Sequence, residues 1–380
     1  APVVIVDGVW YISDAMRNWR KSTLTSLSII MKMSNYLIND KTYHELTDEI
    51  RNTIRGAREY IKTGNFLFQD KVIIGELIEA MSRGVAVFIL SNISELERDA
   101  SRQKEGEGVN THLTNLKTLH RKGAHSRSLD DLHAKFIIAD GERGVLMSAN
   151  FAPTSLENNV ETGLLLENKE LKELEYTFDI LYINSDVYLQ ESDNRHQSIR
   201  AKSPVSRSAF DSEHITSGLR LTVAQCSDAD GYSPKATNLR YCDVHSIYDD
   251  IIGIIDRAEE FVYIVTWHFK ALNRLPEFLD AIKRAIDRGV WVSLYSNTQQ
   301  ENFSQKESLR QIEFLESIGC KSRGDDNNHS KCVISDSEGI VFTANIDGIH
   351  GMKSGFEVGC ILQGEDLDKA REYAQKLIGE

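Results

Sequence analysis

The chain has 380 residues, of which 41% are hydrophobic and 27% charged. That is ordinary globular composition and excludes a disordered, collagenous or low-complexity chain, while the length suits about two or three domains. Forty-four Lys and Arg against 57 Asp and Glu give a net charge of −13, which excludes a broadly basic surface and leaves only local patches for a polyanion.

Five cysteines, Cys226, Cys242, Cys320, Cys332 and Cys360, are widely spaced and contain no C-x-x-C, so neither a disulfide framework nor a zinc site is expected. No stretch approaches the ~20 apolar residues of a membrane helix. Ala1–Asp7 carries no basic region ahead of a long apolar run, and a cytoplasmic setting is expected.

Taken in chain order, residues 1–41 form an extension without a visible repeat. Within it MRNWRKSTLTSLSIIMKMSNYLI reads as a helix packed on the first domain. From Leu46 to Ile93 the pattern is amphipathic helix, strand, helix, then a strand opened by Arg83-Gly84-Val85. Glu95–Glu107 is a mixed-charge loop. Lys117, Arg121, Lys122 and Arg127, with His120 and His125, then form a basic run without an acid. Leu132–Glu167 reads as three strands, followed by a helical tail, ENKELKELEYTFDIL. Residues 186–244 are polar and read as a linker; Arg195, Arg200, Lys202 and Arg207 lie in it.

The grammar then repeats. Ile247–Thr298 gives helix, strand, helix and a strand opened by Arg288-Gly289-Val290. His329–Leu362 gives a second three-strand cluster, preceded by Lys321 and Arg323 and followed by GEDLDKAREYAQKLI as a helix. The order indicates layered α/β structure in each half. The expected organisation is residues 1–185 as one domain, 186–244 as linker and 245–380 as a second domain.

Chemistry concentrates where the repeat is tightest. His133-x-Lys135-x4-Asp140 recurs as His329-x-Lys331-x4-Asp336. One copy arises by chance at roughly one position in 10,000, but two copies at matching places in a duplicated frame do not. Ser148-Ala149-Asn150 follows the first and Thr343-Ala344-Asn345 the second. Glu161 and Glu357 each lie 28 residues after their histidine. On a strand, His and Lys at i and i+2 share a face, so a cation and a proton-transferring imidazole project together. Ser148 and Asn150 suit hydrogen bonds to anionic oxygens. Glu161 suits the second imidazole nitrogen, fixing its tautomer. Asp140, five positions after Lys135, points off that face and has a supporting role. Trp267-His268 ends a strand and reads first as core, second as a stacking platform; Cys332 alternates with the His/Lys face and points to the core.

These residues resemble the phospholipase D superfamily, whose signature is His-x-Lys-x4-Asp, then Gly-Ser-x-Asn and a later Glu. The resemblance covers both halves from about residue 45 onward. It implies two tandem α/β (α+β) mixed-sheet domains forming a pseudo-twofold bilobal monomer. It implies a phosphodiesterase that needs no metal or other cofactor. His133 is expected as the nucleophile forming a phosphohistidine and His329 as the acid, with Lys135, Lys331, Asn150 and Asn345 on the phosphoryl oxygens. Asp140, Asp336, Glu161 and Glu357 complete the catalytic set; Ser148 and Thr343 complete the phosphate-binding set. Met147 and Phe342 stand where the family usually has Gly.

The family divides mainly between lipid enzymes and nucleases. The basic residues near the motifs (Lys117, Arg121, Lys122, Arg127, Lys321, Arg323) are candidate nucleic-acid contacts, and the loops after the motifs are mostly polar. A nuclease acting on DNA or RNA is therefore the first reading. A phospholipid hydrolase or transphosphatidylase of phospholipase D or cardiolipin synthase type is the alternative, and an inactive nucleic-acid-binding module the second alternative.

Overall fold

The computed structural model describes residues 3–6, 9–12, 34–93, 107–129, 131–185, 187–192, 195–200, 212–224, 244–300 and 303–379. The helix expected over MRNWRKSTLTSLSIIMKMSNYLI, the loop from Glu95 to Gly106, Cys226, Cys242, Lys202 and Arg207 fall wholly or mainly outside the described residues. Ala1–Ser34 is one compact unit and Asn35–Glu380 another. The first contains an antiparallel hairpin of β1 (Val3–Val6) and β2 (Val9–Ile12).

The second unit is built on two mixed sheets. In chain order its first half comprises β3 (Tyr36–Asn39), α1 (Glu45–Gly56), β4 (Tyr60–Gly64), α2 (Lys71–Ser82), β5 (Ala86–Ser91), α3 (Glu107–Arg121), β6 (His125–Ser128), β7 (Phe136–Ala139), β8 (Arg143–Met147), β9 (Glu161–Leu166), α4 (Asn168–Asn184), β10 (Val187–Ser192) and β11 (Arg195–Arg200). The second half comprises β12 (Leu219–Ala224), β13 (Val244–His245), α5 (Ser246–Arg257), β14 (Phe261–Val265), β15 (Phe269–Lys270), α6 (Pro276–Asp287), β16 (Trp291–Asn297), α7 (Phe303–Ser317), β17 (Lys321–Asp325), β18 (Cys332–Ser335), β19 (Gly339–Phe342), β20 (Ile346–Asp347), β21 (Gly355–Leu362) and α8 (Glu365–Ile378).

The sheet orders are β11-β10-β6-β5-β4-β7-β8-β9-β3 and β13-β12-β21-β19-β18-β14-β16-β17. Seven consecutive strands of the first, β6 to β3, correspond one by one to β17-β16-β14-β18-β19-β21-β12 of the second. In each half three parallel strands lie beside an antiparallel set. Six strands lie where the sequence showed none: β1, β2 and β3 fall within residues 1–41, and β10, β11 and β12 within the polar segment 186–244. β3 and β12 are equivalent, and β10 and β11 extend the first sheet. Four residues of YLIN are too few for an alternation to register.

Helices cover both faces of each sheet. The β7 run FIIA and the β18 run CVIS are buried throughout, which explains why they read as unbroken apolar strands. The first outer core gathers Leu46, Ile50, Leu77 and Leu116 from α1, α2 and α3. The second outer core gathers Ile251, Ile255, Phe278 and Leu315 from α5, α6 and α7. A third core lies between the sheets and takes in α4 and α8 through Leu171, Phe178, Leu181, Leu367, Tyr373 and Ile378, with Phe136 and Phe356 edge to face. Each such side chain contributes about 1.5–3 kcal/mol when fully buried, so the halves share one interior. Polar ties border it. Lys369 Nζ donates to Tyr36 O and Glu45, Tyr373 Oη donates to Asp40, and Glu173 accepts from the backbone of Thr216 and Ser217.

Asp140 and Asp336 sit at the far ends of β7 and β18 from the His-x-Lys segments. Asp140 accepts from the backbone N–H of Arg58, Glu59 and Tyr60 at 2.8–2.9 Å. Asp336 accepts from Glu259, Glu260 and Phe261. They are therefore turn caps that pin each His-x-Lys strand to the start of its neighbour, and they leave the catalytic set proposed from sequence. Partial burial raises these carboxyls, but the N–H donors more than offset it and both titrate below the ordinary aspartate value of 3.8. A carboxylate with a lowered folded-state pKa stabilises fully above that ordinary value and loses the contribution as pH falls through the folded value. Asp336→Ala should cost about 1 kcal/mol at neutral pH, lowering Tm by about 1–2 °C in a unit of this size. Thermal melts should show the gap closing in acid; a gap that persists there contradicts the capping role.

Candidate active site

The two halves exchange backbone hydrogen bonds at the point where the motifs emerge. Phe356 O accepts from the N–H of His133 and Ala134, and Phe356 N donates to Asp131 O. Reciprocally, Val160 O accepts from His329 N, and Val160 N donates to Asn327 O. The residue after each of these bridging positions is a motif glutamate. Each glutamate is thereby delivered to the histidine of the other half.

His133 Nδ1 lies 2.8 Å from Glu357 Oε1, and His329 Nδ1 lies 2.9 Å from Glu161 Oε1. The pairing expected within one half is thus crossed between halves. Sequence spacing cannot reveal this, because each glutamate lies equally far downstream of its own local motif. Each carboxylate is closed off by its own half as well. Ser148 Oγ donates to Glu161 and Thr343 Oγ1 to Glu357. The same hydroxyls accept from Thr162 N and Val358 N at 3.0 Å. Ser148 and Thr343 are completely buried. They orient the carboxylates and are not open to phosphate, contrary to the sequence expectation.

Glu161 and Glu357 are 0% and 2% exposed. Burial raises their carboxyls, but the facing imidazoles and the lysines outweigh it, and both titrate below the ordinary range. Burial acts oppositely on the bases. It pushes His133 and His329 down to about 4, against the pull of their glutamates and with help from the lysines. Lys135 falls to about 7 and Lys331 to about 8, burial again being the main cause. Both lysines are fully buried and donate to the carbonyl of the histidine two residues earlier. At neutral pH each imidazole is uncharged, donates its Nδ1–H to a carboxylate and keeps a bare Nε2 lone pair.

Asn150 and Asn345 are at least nine-tenths buried, and the Oδ1 atom of each has no hydrogen-bond partner. They are ready for a ligand. Two rings flank the pair: Phe66 lies 5.6 Å from His133 and Trp267 lies 5.7 Å from His329, centroid to centroid. Trp267 is half-buried at the site and not in the core. Phe66 escaped the sequence reading, although it follows β4 at the position Trp267 holds after β14. A cavity of about 270 Å³ opens beside His133 and Glu357, with Asn92, His268, Lys270, Asn345 and Asp347 in its wall. Asn92, Lys270 and Asp347 were also missed; Asn92 belongs to the Ser-Asn pair that recurs as Ser296-Asn297, whereas Lys270 and Asp347 lie in no repeated motif.

The basic residues distribute differently from expectation. Arg127 donates to the carbonyls of Tyr182, Ile183 and Ser185 and stacks on Tyr182, so it caps α4. Lys321 lies 3.7 Å over the Trp291 ring at the start of β17, whereas the site lies past the end of the neighbouring strands. Arg323 follows it in mid-strand and lies against Gly379. Arg121 and Lys122 are exposed where α3 turns into β6. His133 emerges beyond the other end of β6, and Lys117 lies one turn earlier on α3. A run adjacent to the motif in sequence is thus about one strand length, ~13 Å, from it in space. For Arg195 and Arg200 only the backbone of β11 is described.

A family model described as the PLD-like domain of cardiolipin synthase matches residues 50–182 and again residues 251–378. No curated protein matches the sequence. Among solved structures, phosphatidylserine synthase from Haemophilus influenzae Rd KW20 aligns with a TM-score of 0.61 and 12% identity over 90% of this chain and 86% of that one. Polyphosphate kinase from Porphyromonas gingivalis aligns with a TM-score of 0.52 and 12% identity over 90% of this chain, which spans 50% of that protein. Nuc, a phospholipase D family member from Salmonella typhimurium, aligns at 17% identity over 44% of this chain and 99% of its own, with a TM-score of 0.34. The first two establish the shared fold. Among the described residues no helix is long and apolar enough to cross a membrane.

The lowered lysines set a pH dependence. Sulfate keeps its charge between about pH 6 and 9, so any change in its affinity reports the protein. Affinity measured by titration calorimetry should fall about tenfold or more as pH rises through the values of Lys135 and Lys331. A constant affinity contradicts their placement as anion ligands.

Proposed function

We propose, on the premise that the chain belongs to the PLD-like domain family of the cardiolipin synthase type, that it cleaves phosphodiesters through a covalent phosphohistidine. The observation that carries this is the crossed pairing of two uncharged imidazoles with the other half's glutamates, each leaving Nε2 free. One Nε2, most simply that of His133, attacks phosphorus and forms the P–N bond while the P–O ester bond breaks. His329, protonated at Nε2, gives its proton to the departing alkoxide. Burial holds that imidazole unprotonated in the free enzyme, and the anionic diester favours the charged form when it binds beside it. Water then loses a proton to the same histidine, its oxygen attacks phosphorus and the P–N bond breaks. Lys135, Lys331 and the Nδ2 amides of Asn150 and Asn345 donate to the phosphoryl oxygens. Two lysines supply the charge for which other phosphodiesterases use metal ions.

For the substrate, a polynucleotide is the first reading. Phe66 and Trp267 support it, because their rings flank the histidine pair and suit stacked bases. Phospholipid phosphotransfer is the second reading, favoured by the family's description and by the fold shared with a phosphatidylserine synthase. The protein is incubated in EDTA with single-stranded DNA, duplex DNA, RNA and phosphatidylcholine vesicles. Polynucleotide cleavage is expected without metal, and His133→Ala or His329→Ala should lose about 10³-fold or more in kcat. A strict requirement for added metal overturns the mechanism; turnover of lipid alone overturns the substrate. Phe66→Ala and Trp267→Ala should each raise KM for single-stranded substrate about tenfold; an unchanged KM removes the stacking role.

A further inference from the structure

The catalytic pair is nearly symmetric, but the ground beside it is not. After β4 the first half runs Phe66, Leu67, Phe68, Gln69, and after β14 the second runs Trp267, His268, Phe269, Lys270. The scaffold is the same in both. Phe68 pairs with Phe151 in a parallel bridge, and Phe269 pairs with Ile346 in the equivalent one. One position on, Lys270 pairs with Asp347, where the first half has Gln69 beside Ala152. Leu67, Gln69 and Ala152 thus become His268, Lys270 and Asp347. The first half shows that this ladder folds without the polar trio.

The trio is also costly to bury. His268 is 7% exposed and Asp347 4%, and a buried polar group without partners destabilises the fold. Asp347 Oδ1 accepts from the backbone of Ile349 at 2.7 Å and of His350 at 3.3 Å, which fixes the carboxylate. Its Oδ2 lies 3.5 Å from His268 Nε2 and 4.0 Å from Lys270 Nζ, too far for formed hydrogen bonds. Neither ring nitrogen of His268 has a hydrogen-bond partner, and neither does Asn345 Oδ1. His268, Lys270, Asn345 and Asp347 all line the cavity that contains His133 and Glu357. Its volume of about 270 Å³ is many times what one water needs, enough for a phosphoryl group and a small alcohol.

We propose that His268, Lys270 and Asp347 form a subsite for a neutral, hydroxyl-bearing alcohol esterified to the phosphate on the His133 side of the scissile bond. The charges of Lys270 and Asp347 cancel, and burial holds His268 uncharged. A second anionic group would face Asp347, Glu357 and Asp131, and a cation would face Lys270. A hydroxyl both donates and accepts, and it completes the partners that His268 and Asn345 lack. The subsite rests on the phosphodiesterase reading and adds to it a polarity: one of the two alcohols is recognised by its hydroxyls. Such an alcohol is the sugar of a nucleotide or the glycerol of a lipid headgroup.

The test compares three 4-nitrophenyl diesters by release of 4-nitrophenolate: thymidine 5′-(4-nitrophenyl) phosphate, glycerol 4-nitrophenyl phosphate and bis(4-nitrophenyl) phosphate. The variants are His268→Leu and Lys270→Gln, each installing the residue that the first half carries. Lys270 is only partly buried, which makes its variant a safeguard should His268→Leu fold poorly. Relative to wild type, the kcat/KM ratio of a hydroxylated diester to bis(4-nitrophenyl) phosphate should fall at least about tenfold. A fall in the thymidine arm identifies a sugar, and a fall in the glycerol arm a lipid-type headgroup. Ratios within about twofold of wild type in both arms for both variants overturn the subsite while leaving the phosphodiesterase reading intact. Failure of the wild type to cleave any of the three overturns that reading and the subsite with it.

Discussion

The structure turns on a pair of crossed hydrogen bonds, His133 to Glu357 and His329 to Glu161. They tie the two sheets together at the site and set the chemistry in one arrangement. A buried carboxylate takes the Nδ1–H of each imidazole, so only Nε2 remains to react. The glutamates can be buried because each has further donors, from Ser148 and His329 on one side and Thr343 and His133 on the other. Removing one histidine would leave the opposing glutamate as a buried charge without its main partner. The duplication is therefore locked: neither half holds a complete site, and each completes the other.

The position of the site follows from how the halves are joined. The interior between the sheets places α4 and α8 back to back with the inner strand faces. The backbone exchange of His133 with Phe356 and of His329 with Val160 then forms the floor. On that symmetric floor the flanks diverge. The aromatic pair Phe66 and Trp267 keeps its place while changing identity, and His268, Lys270 and Asp347 have only Leu67, Gln69 and Ala152 opposite. On the proposed reading, symmetry serves the phosphoryl centre, whose oxygens are alike, and asymmetry serves the two different alcohols of a diester.

Much of this was legible in the sequence. The His-x-Lys-x4-Asp pattern occurs twice in a duplicated frame, and strand parity already turned Asp140 away from the Lys135 face; the structure gives it the backbone of residues 58–60 to cap. The crossing was not legible, because spacing along one chain says nothing about which half's glutamate meets which histidine. Ser148 was assigned to phosphate because a hydroxyl suits an oxyanion, but a buried carboxylate thirteen residues on is the nearer acceptor. The basic run before His133 misled for a geometric reason: β6 carries the chain the length of the sheet between Lys122 and the site. Edge strand β3 was too short to show a period, and the alternation of β12 was passed over because the segment around it is polar.

The central claim is that Glu357 and Glu161 occupy Nδ1 and leave Nε2 as the reacting nitrogen. Protein labelled with 15N-histidine is mixed with an activated phosphodiester, quenched in base during turnover and followed by 31P and 15N NMR. A single phosphorus–nitrogen adduct is expected, on Nε2 of His133 or of His329. An adduct on Nδ1, or a phosphoryl group on Ser148, Thr343 or any other oxygen, would contradict it.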